Sequence, residues 1–466
     1  MNQAKVGLLP FYLELYDETV PEIRPDIDAF HEKAAGKLRE AGLEVVDAPV
    51  CRLEKEFLAA VKMFEDREVD AVVTLHLAYS PSLESQEALK RLQVPILVLD
   101  TTPDYVYDQT TDAGKLMFNH GIHGVQDMCN LLVRNHKLFR VFAGHMEHSD
   151  VMARLAEAAR AAGIVRLFCR SRVGLIGEPF HGMGDFQVDF GELERRFGIE
   201  TVRYDFTEGE RRIKAVTEQE IQEEYQEDQA FFEIRPQLTR QVYDRSQRTG
   251  LAVRRWLEEK QLTAFTVNFL ATAGSNPGLP VMPFTECSKA MMRGIGYAGE
   301  GDVLTAAFTG ALLQGFSDVT FTEMFCPDWR SGSVFLSHMG EFNYRVAAGK
   351  PILQEKPFPF TDAENPSVAY RTMKPGRAVF VNLAPLGGGE YLLTAAAGEM
   401  LSIAGENSME EAVNGWFRPD VPLERFLELF SQTGGTHHSV LIYGGSLECM
   451  EYLADFLGIE KRLLVP

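Results

Sequence analysis

Apolar runs of four to six residues, each followed by an amphipathic stretch of helix length, recur through the first third of the chain. No other feature constrains the fold as tightly. Strands buried on both faces read as unbroken apolar runs, and they need helices on both sides to cover them. The runs are Val6-Gly7-Leu8-Leu9, Leu43-Glu44-Val45-Val46, Ala71-Val72-Val73-Thr74-Leu75, Pro95-Ile96-Leu97-Val98-Leu99-Asp100 and Phe139-Arg140-Val141-Phe142. Helical stretches over 23–41, 53–67, 83–92, 122–135 and 150–162 separate and follow them. The spacing predicts an open, Rossmann-like α/β domain over 1–167.

The pattern restarts at Arg172-Val173-Gly174-Leu175-Ile176-Gly177. A helix over 188–197, strands at 200–204 and 262–267, and a long charged, mostly helical stretch over 208–260 belong to this second part. A Gly/Pro-rich loop at 274–283 and helices over 285–294 and 302–314 complete a second α/β domain, 168–316. The last third changes character. Strand runs at 318–324, 333–338, 367–373, 377–383, 390–396 and 439–443 are separated by turn signals such as Lys374-Pro375-Gly376 and Gly387-Gly388-Gly389. Such punctuation predicts a β-rich, barrel-like domain over 317–466.

At 466 residues the chain is too long for one ordinary core. A formal charge of −21 argues against a nucleic-acid surface, which needs a basic footprint. The longest apolar runs fall short of the roughly 20 residues that span a bilayer, and the first residues carry no signal pattern. The six cysteines are scattered without a C-x-x-C pair, which fits a reducing cytoplasm and excludes a zinc ribbon. Gly294-Ile295-Gly296-Tyr297-Ala298-Gly299 fits G-x-G-x-x-G but follows a helix-like segment, so a dinucleotide site is not expected.

Chemistry concentrates in four places. Glu300 lies in Gly299-Glu300-Gly301-Asp302, just before a helix, where either it or Asp302 could simply cap that helix. Glu323 sits in the apolar run Val319-Thr320-Phe321-Thr322-Glu323-Met324-Phe325, and alternation puts it on the face of Phe321 and Phe325. A buried glutamate there needs a partner or a metal. His338 ends the run Val334-Phe335-Leu336. His437 and His438 close the glycine-rich loop Gly434-Gly435-Thr436 before the strand Val440-Leu441-Ile442. Alternation allows at most one of this pair to face a given metal. Two carboxylates and two imidazoles suit a catalytic divalent cation. A fifth, second-rank place is helix 121–127, which begins with glycines and polar groups including His123 and Asp127, with routine helix capping as the alternative.

These segments resemble the L-arabinose isomerase family, with the L-fucose isomerases more distant. Gly296-Tyr297-Ala298-Gly299-Glu300-Gly301-Asp302 followed by Thr305-Ala306-Ala307 is similar to the family's AGEGD…TAA segment. Phe321-Thr322-Glu323, Ser337-His338-Met339-Gly340-Glu341 and Gly434-Gly435-Thr436-His437-His438-Ser439 follow in the family's order. His123-Gly124 and Gly144-His145 are weaker matches. The resemblance implies Mn²⁺, or else Co²⁺ or Mg²⁺, held by Glu300, Glu323, His338 and His438. It implies a reversible aldose–ketose isomerisation, L-arabinose to L-ribulose by default. Glu300 and Glu323 would carry the enediol proton transfer, and His437, His123, Asp127 and Phe269 would meet the sugar. It also implies a homo-oligomer, trimer or hexamer, in which one subunit's N-terminal domain covers a neighbour's site.

Two segments depart from the family. Leu8-Leu9-Pro10-Phe11-Tyr12-Leu13-Glu14 replaces a Gly-Ser-Gln and Leu-Tyr-Gly segment, and Leu175-Ile176-Gly177-Glu178-Pro179-Phe180 replaces Phe-Gly-Asp-Asn-Met-Arg. Both belong to the substrate side of the family's site. An isomerase or epimerase for another sugar on the same metal site is therefore a second expectation, and a non-catalytic sugar-binding protein a third.

Overall fold

The computed structural model describes residues 3–466. The chain divides into two compact units. One holds the described residues up to Arg166 with Asp455–Leu457, and the other holds Leu167–Ala454 with Gly458–Pro466.

The first unit carries β1 (Lys5–Phe11), β2 (Glu44–Asp47), β3 (Ala71–His76), β4 (Ile96–Asp100) and β5 (Phe139–Ala143). They form one parallel sheet in the order β2-β1-β3-β4-β5. Every residue of β3 is buried, as a central parallel strand requires. The helix Glu54–Asp66 comes so close to β1 that a Cβ on Gly7 would stand 2.6 Å from the Phe64 ring. Glycine is what lets the two layers meet there.

The second unit opens with another parallel sheet built from β6 (Arg172–Ile176), β7 (Glu200–Arg203), β9 (Ala264–Val267) and β10 (Gly296–Gly299), in the order β10-β9-β6-β7. The helix Val303–Gly315 is buried from Val303 through Leu313, which explains its apolar composition on all sides. It lies directly on β10, where a Cβ on Gly296 would meet the Ala306 carbonyl at 2.2 Å and the Gly310 nitrogen at 2.4 Å. This close seat fixes the turn 300–302 between strand and helix.

The remaining strands are β11 (Val319–Asp328), β12 (Ser333–Ser337), β13 (Ile352–Glu355), β14 (Ser367–Tyr370), β15 (Gly376–Gly387), β16 (Glu390–Met400), β17 (Gly415–Pro419), β18 (His438–Tyr443) and β19 (Glu460–Leu464). Six of them run antiparallel as β15-β18-β11-β12-β17-β16, and β16 pairs again with β15 to close a barrel. β19 adds to β16 in parallel. Phe380, Phe417, Phe426 and Phe430 pack together in its core. The expected class, two parallel α/β sheets followed by a β-barrel region, is what the structure has.

Strands β10, β13 and β17 fall outside the expected runs, and three further details differ. The run 367–373 supplies β14, which joins a small three-stranded sheet with β13 rather than the barrel. Its third member, β8 (Glu233–Ile234), interrupts the charged stretch read as helical, directly after Phe231-Phe232. The helices Leu423–Gln432 and Leu447–Leu457 and strand β19 were not foreseen, although Leu423, Phe426 and Phe430 mark one helical face.

Candidate metal centre

Register in the barrel brings the C-terminal residues to one level. Glu323 on β11 lies directly opposite His438 on β18 and opposite Ser337 on β12, so His338 follows one residue beyond the end of that strand. A bulge between Met324 and Cys326 then shifts the pairing, leaving Phe321 buried and Phe325 exposed. Glu300 arrives from the end of β10. Its backbone takes a left-handed conformation, φ 54°, and the next residue is Gly301 at φ 89°. Thr266 on β9 holds this turn, donating its hydroxyl to the Gly299 carbonyl and accepting the Gly301 N–H. Gly301 has no alternative, because a Cβ would lie 2.6 Å from Pro179 Cα. Non-glycine residues at positive φ concentrate where surrounding structure imposes them.

Four side chains meet here. His438 Nε2 is 3.0 Å from Glu300 Oε2 and 3.2 Å from Glu323 Oε1. His338 Nε2 is 3.7 Å and 3.9 Å from the same two oxygens. One potential ligand atom from each of Glu300, Glu323 and His338, and likewise from Glu323, His437 and His438, lies within 4.8 Å of the others. Phe321 is set edge-on between the rings, 4.8 Å from His338 and 5.0 Å from His438.

Each imidazole is gripped from behind by a carboxylate. His338 Nδ1 donates to Glu341 at 2.6 Å, and Tyr297 donates its hydroxyl to the other Glu341 oxygen at 2.8 Å. His438 Nδ1 donates to Asp302 at 2.9 Å. Asp302 also caps the helix Val303–Gly315 through Thr305 N–H, so the capping alternative and a site role coexist in one side chain. His437 Nδ1 donates to Asp185 at 2.6 Å.

This arrangement supplies a test of metal fit. An ionised carboxylate only accepts, so each Nδ1 carries a proton, and with a cation bound each Nε2 would present its lone pair inward. Lone pairs of two imidazoles and two carboxylates would then converge on one buried point. Such convergence is unfavourable unless a cation, or extra protons, sits between them. The electrostatics agree. Burial alone would raise the Glu300 pKa, but hydrogen bonds and charge from His338 and His438 hold it well below the usual range. Burial would lower the ring pKa of His338 and His438, but Glu341, Glu300, Asp302 and Glu323 push both well above the ordinary value. Oxygen and imidazole donors with outer carboxylates fit a divalent metal.

The expected ligands Glu300, Glu323, His338 and His438 are thus brought together. His437 joins them at the edge, its ring centroid 4.3 Å from that of His438. Alternation does not separate the pair because β18 begins at His438 and His437 is still loop. Phe269 packs on Phe180 and Phe360, and Phe180 donates its N–H to the Glu300 carbonyl. His123 and Asp127 belong to the other unit. There His123 faces His120 at 2.6 Å, and Asp127 binds the backbone and hydroxyl of Ser82 at the start of helix Ser82–Arg91. Asp185, Phe186, Tyr297 and Glu341 were missed as site residues. Only Glu341, three residues after His338, had a local signal. A third candidate group, His145, Glu147 and His148, is less suited to a metal: Glu147 is paired with Lys33, and His145 Nδ1 already accepts the Glu147 N–H.

Residues 186–314 match the L-arabinose isomerase central-domain family model, and residues 318–460 match that of the L-arabinose isomerase C-terminal domain. The L-arabinose isomerase of Halalkalibacterium halodurans is 25% identical over 411 residues, covering 85% of this chain and 80% of the relative. That of Nocardioides sp. is 26% identical over 419 residues, with 86% and 81% covered. That of Shouchella clausii is 23% identical over 466 residues, with 97% and 92% covered.

Proposed function

The chain belongs to the L-arabinose isomerase family, and on that footing we propose that it is a metal-dependent aldose–ketose isomerase working at the Glu300–Glu323–His338–His438 cluster. The observation that carries this reading is the convergence of two carboxylates and two imidazole Nε2 atoms, each ring held from behind by its own carboxylate. Mn²⁺ is the ion we assign to it, with Co²⁺ or Mg²⁺ as substitutes. When bound, such an ion would polarise neighbouring sugar oxygens and stabilise negative charge on them.

The protein groups have the remaining work. Isomerisation moves one proton from C2 to C1 and one from O2 to O1. Glu300 and Glu323 are the groups we assign to the carbon-bound proton, because a carboxylate held ionised can take it and return it. Glu341 and Asp302 keep the two rings in the tautomer that turns lone pairs inward. Glu341→Gln removes the charge behind His338, and metal affinity should fall by about 10–100-fold. Calorimetric titration with Mn²⁺ reads this directly, and an unchanged affinity would remove Glu341 from the site.

L-Arabinose is the default substrate. A second reading, another aldose or an epimerisation, is favoured by the segment at Leu175–Phe180, where Phe180 continues a row of rings through Phe269 to Phe360. Assaying metal-stripped and Mn²⁺-loaded protein against aldopentoses, aldohexoses and deoxy-sugars decides between them. Metal-dependent ketose formation from L-arabinose supports the default, and ketose from another sugar alone supports the second reading. Tight metal binding with no turnover of any sugar would sink both. A cytoplasmic setting and a homo-oligomer in which the N-terminal unit covers a neighbour's site belong to the same proposal. Among the described residues no helix is long and apolar enough to cross a membrane.

A further inference from the structure

Asp185 sits in the loop after β6, in a stretch where nothing in the sequence marks a functional residue. One of its oxygens, Oδ2, accepts both the His437 backbone N–H at 2.9 Å and the His437 ring Nδ1–H at 2.6 Å. A single carboxylate oxygen therefore fixes the loop backbone and the ring orientation together. The next residue, Phe186, lies face to face with His438 at 4.9 Å and 9° between planes, and 5.7 Å from the His437 ring. Residues 185 and 186 grip both histidines, one by charge and one by stacking.

The two rings are gripped differently with respect to the cluster. His438 is fully buried, and its Nε2 is within 3.2 Å of both glutamates. The His437 side chain is 38% exposed, and its Nε2 stands 3.7 Å from Glu323 Oε1. His437 is thus the ring on the open side of the centre. With Nδ1–H committed to Asp185, its Nε2 is an acceptor with no partner as close as those of His438. A hydroxyl is the group that satisfies such an acceptor beside a carboxylate.

We propose that Asp185 is a positioning residue: it orients His437, the substrate contact that the family resemblance implies, so that Nε2 faces a hydroxyl of a vicinal polyol substrate and not the metal. This deepens the isomerase reading and rests on it. The competing arrangement is a third imidazole on the metal, since Glu323, His437 and His438 also form a possible ligand group.

The test uses full-length protein carrying Asp185→Ala, the milder Asp185→Asn, Asp185→Glu and His437→Asn. Three quantities are read: Mn²⁺ affinity, the number of imidazole nitrogens coupled to bound Mn²⁺ by pulsed paramagnetic resonance, and the affinity for the unreactive pentitol obtained by reducing the substrate. The expected result is Mn²⁺ affinity within about twofold of wild type and two coupled imidazoles in every variant. Pentitol affinity and kcat/KM should fall by about 10–100-fold in Asp185→Ala and His437→Asn, less in Asp185→Asn, with partial recovery in Asp185→Glu. A drop from three coupled imidazoles to two in His437→Asn, or a tenfold loss of Mn²⁺ affinity in Asp185→Ala, would overturn the proposal by making His437 a ligand. Unchanged pentitol binding and turnover in an active background would overturn it by making Asp185 merely structural. A wild-type protein that binds no pentitol and turns over no sugar would instead overturn the isomerase reading, and this proposal with it.

Discussion

Glu300→Gln is expected to reduce turnover by at least about a thousandfold at saturating Mn²⁺. The estimate starts from general acid–base catalysis, which alone contributes about 10²–10⁴-fold. Glutamine is isosteric but cannot take a proton at neutral pH, so that contribution disappears entirely. The substitution also removes one of the two inward negative charges facing His338 and His438, which weakens the attraction for a divalent cation. Backbone strain is not a confounding factor, because glutamine meets the same cost as glutamate at φ 54°. Glu323→Gln should act in the same direction. Comparing the two at saturating metal separates loss of the base from loss of the ligand: the main base loses kcat, while the other mostly raises the metal requirement. Turnover in Glu300→Gln within tenfold of wild type would remove the proposed mechanism.

How much of this was legible in the sequence depends on whether the signal was local. The apolar runs of β1, β3 and β4 announce a covered parallel sheet because burial on both faces leaves few polar positions. β10 was invisible for the opposite reason. Gly296-Tyr297-Ala298-Gly299 has no β-branched residue, because Gly296 makes room for the helix that rests on it and Gly299 for the His338 ring. The four candidate ligands were readable as types in suggestive settings, and the family resemblance supplied their grouping. What could not be read was register. Only the pairing of β11 with β18 makes Glu323 and His438 neighbours, and no local pattern encodes a pairing between strands so far apart in the chain. Asp185 is the extreme case: it lies 252 positions from His437 in an irregular loop, so neither periodicity nor motif marks it.

Removing the metal should cost stability as well as activity. Without a cation, lone pairs and charge of Glu300, Glu323, His338 and His438 are compressed into one buried space, with Asp302 and Glu341 adding negative charge behind the rings. Protons on the imidazoles relieve part of this, as the raised ring pKa values of His338 and His438 indicate. They do not supply the bonds to four ligands that a divalent ion would. A ligand that binds only the folded state stabilises it by about 4 kcal/mol when present at a thousand times its dissociation constant. For a unit of this size, each kcal/mol moves the melting temperature by roughly 1.5–2 °C. Chelator-treated protein should therefore melt about 6–8 °C below the Mn²⁺-loaded form, with the gap closing on readdition. The cluster lies in the unit Leu167–Ala454 with Gly458–Pro466, so the shift should appear in that unit's transition and leave the N-terminal parallel sheet unaffected. Following both by calorimetry, with Glu300→Gln as the control that should lose most of the metal-dependent shift, links the two predictions. A melting curve indifferent to Mn²⁺ in the wild type would mean that the buried cluster is satisfied by protons alone and holds no ion.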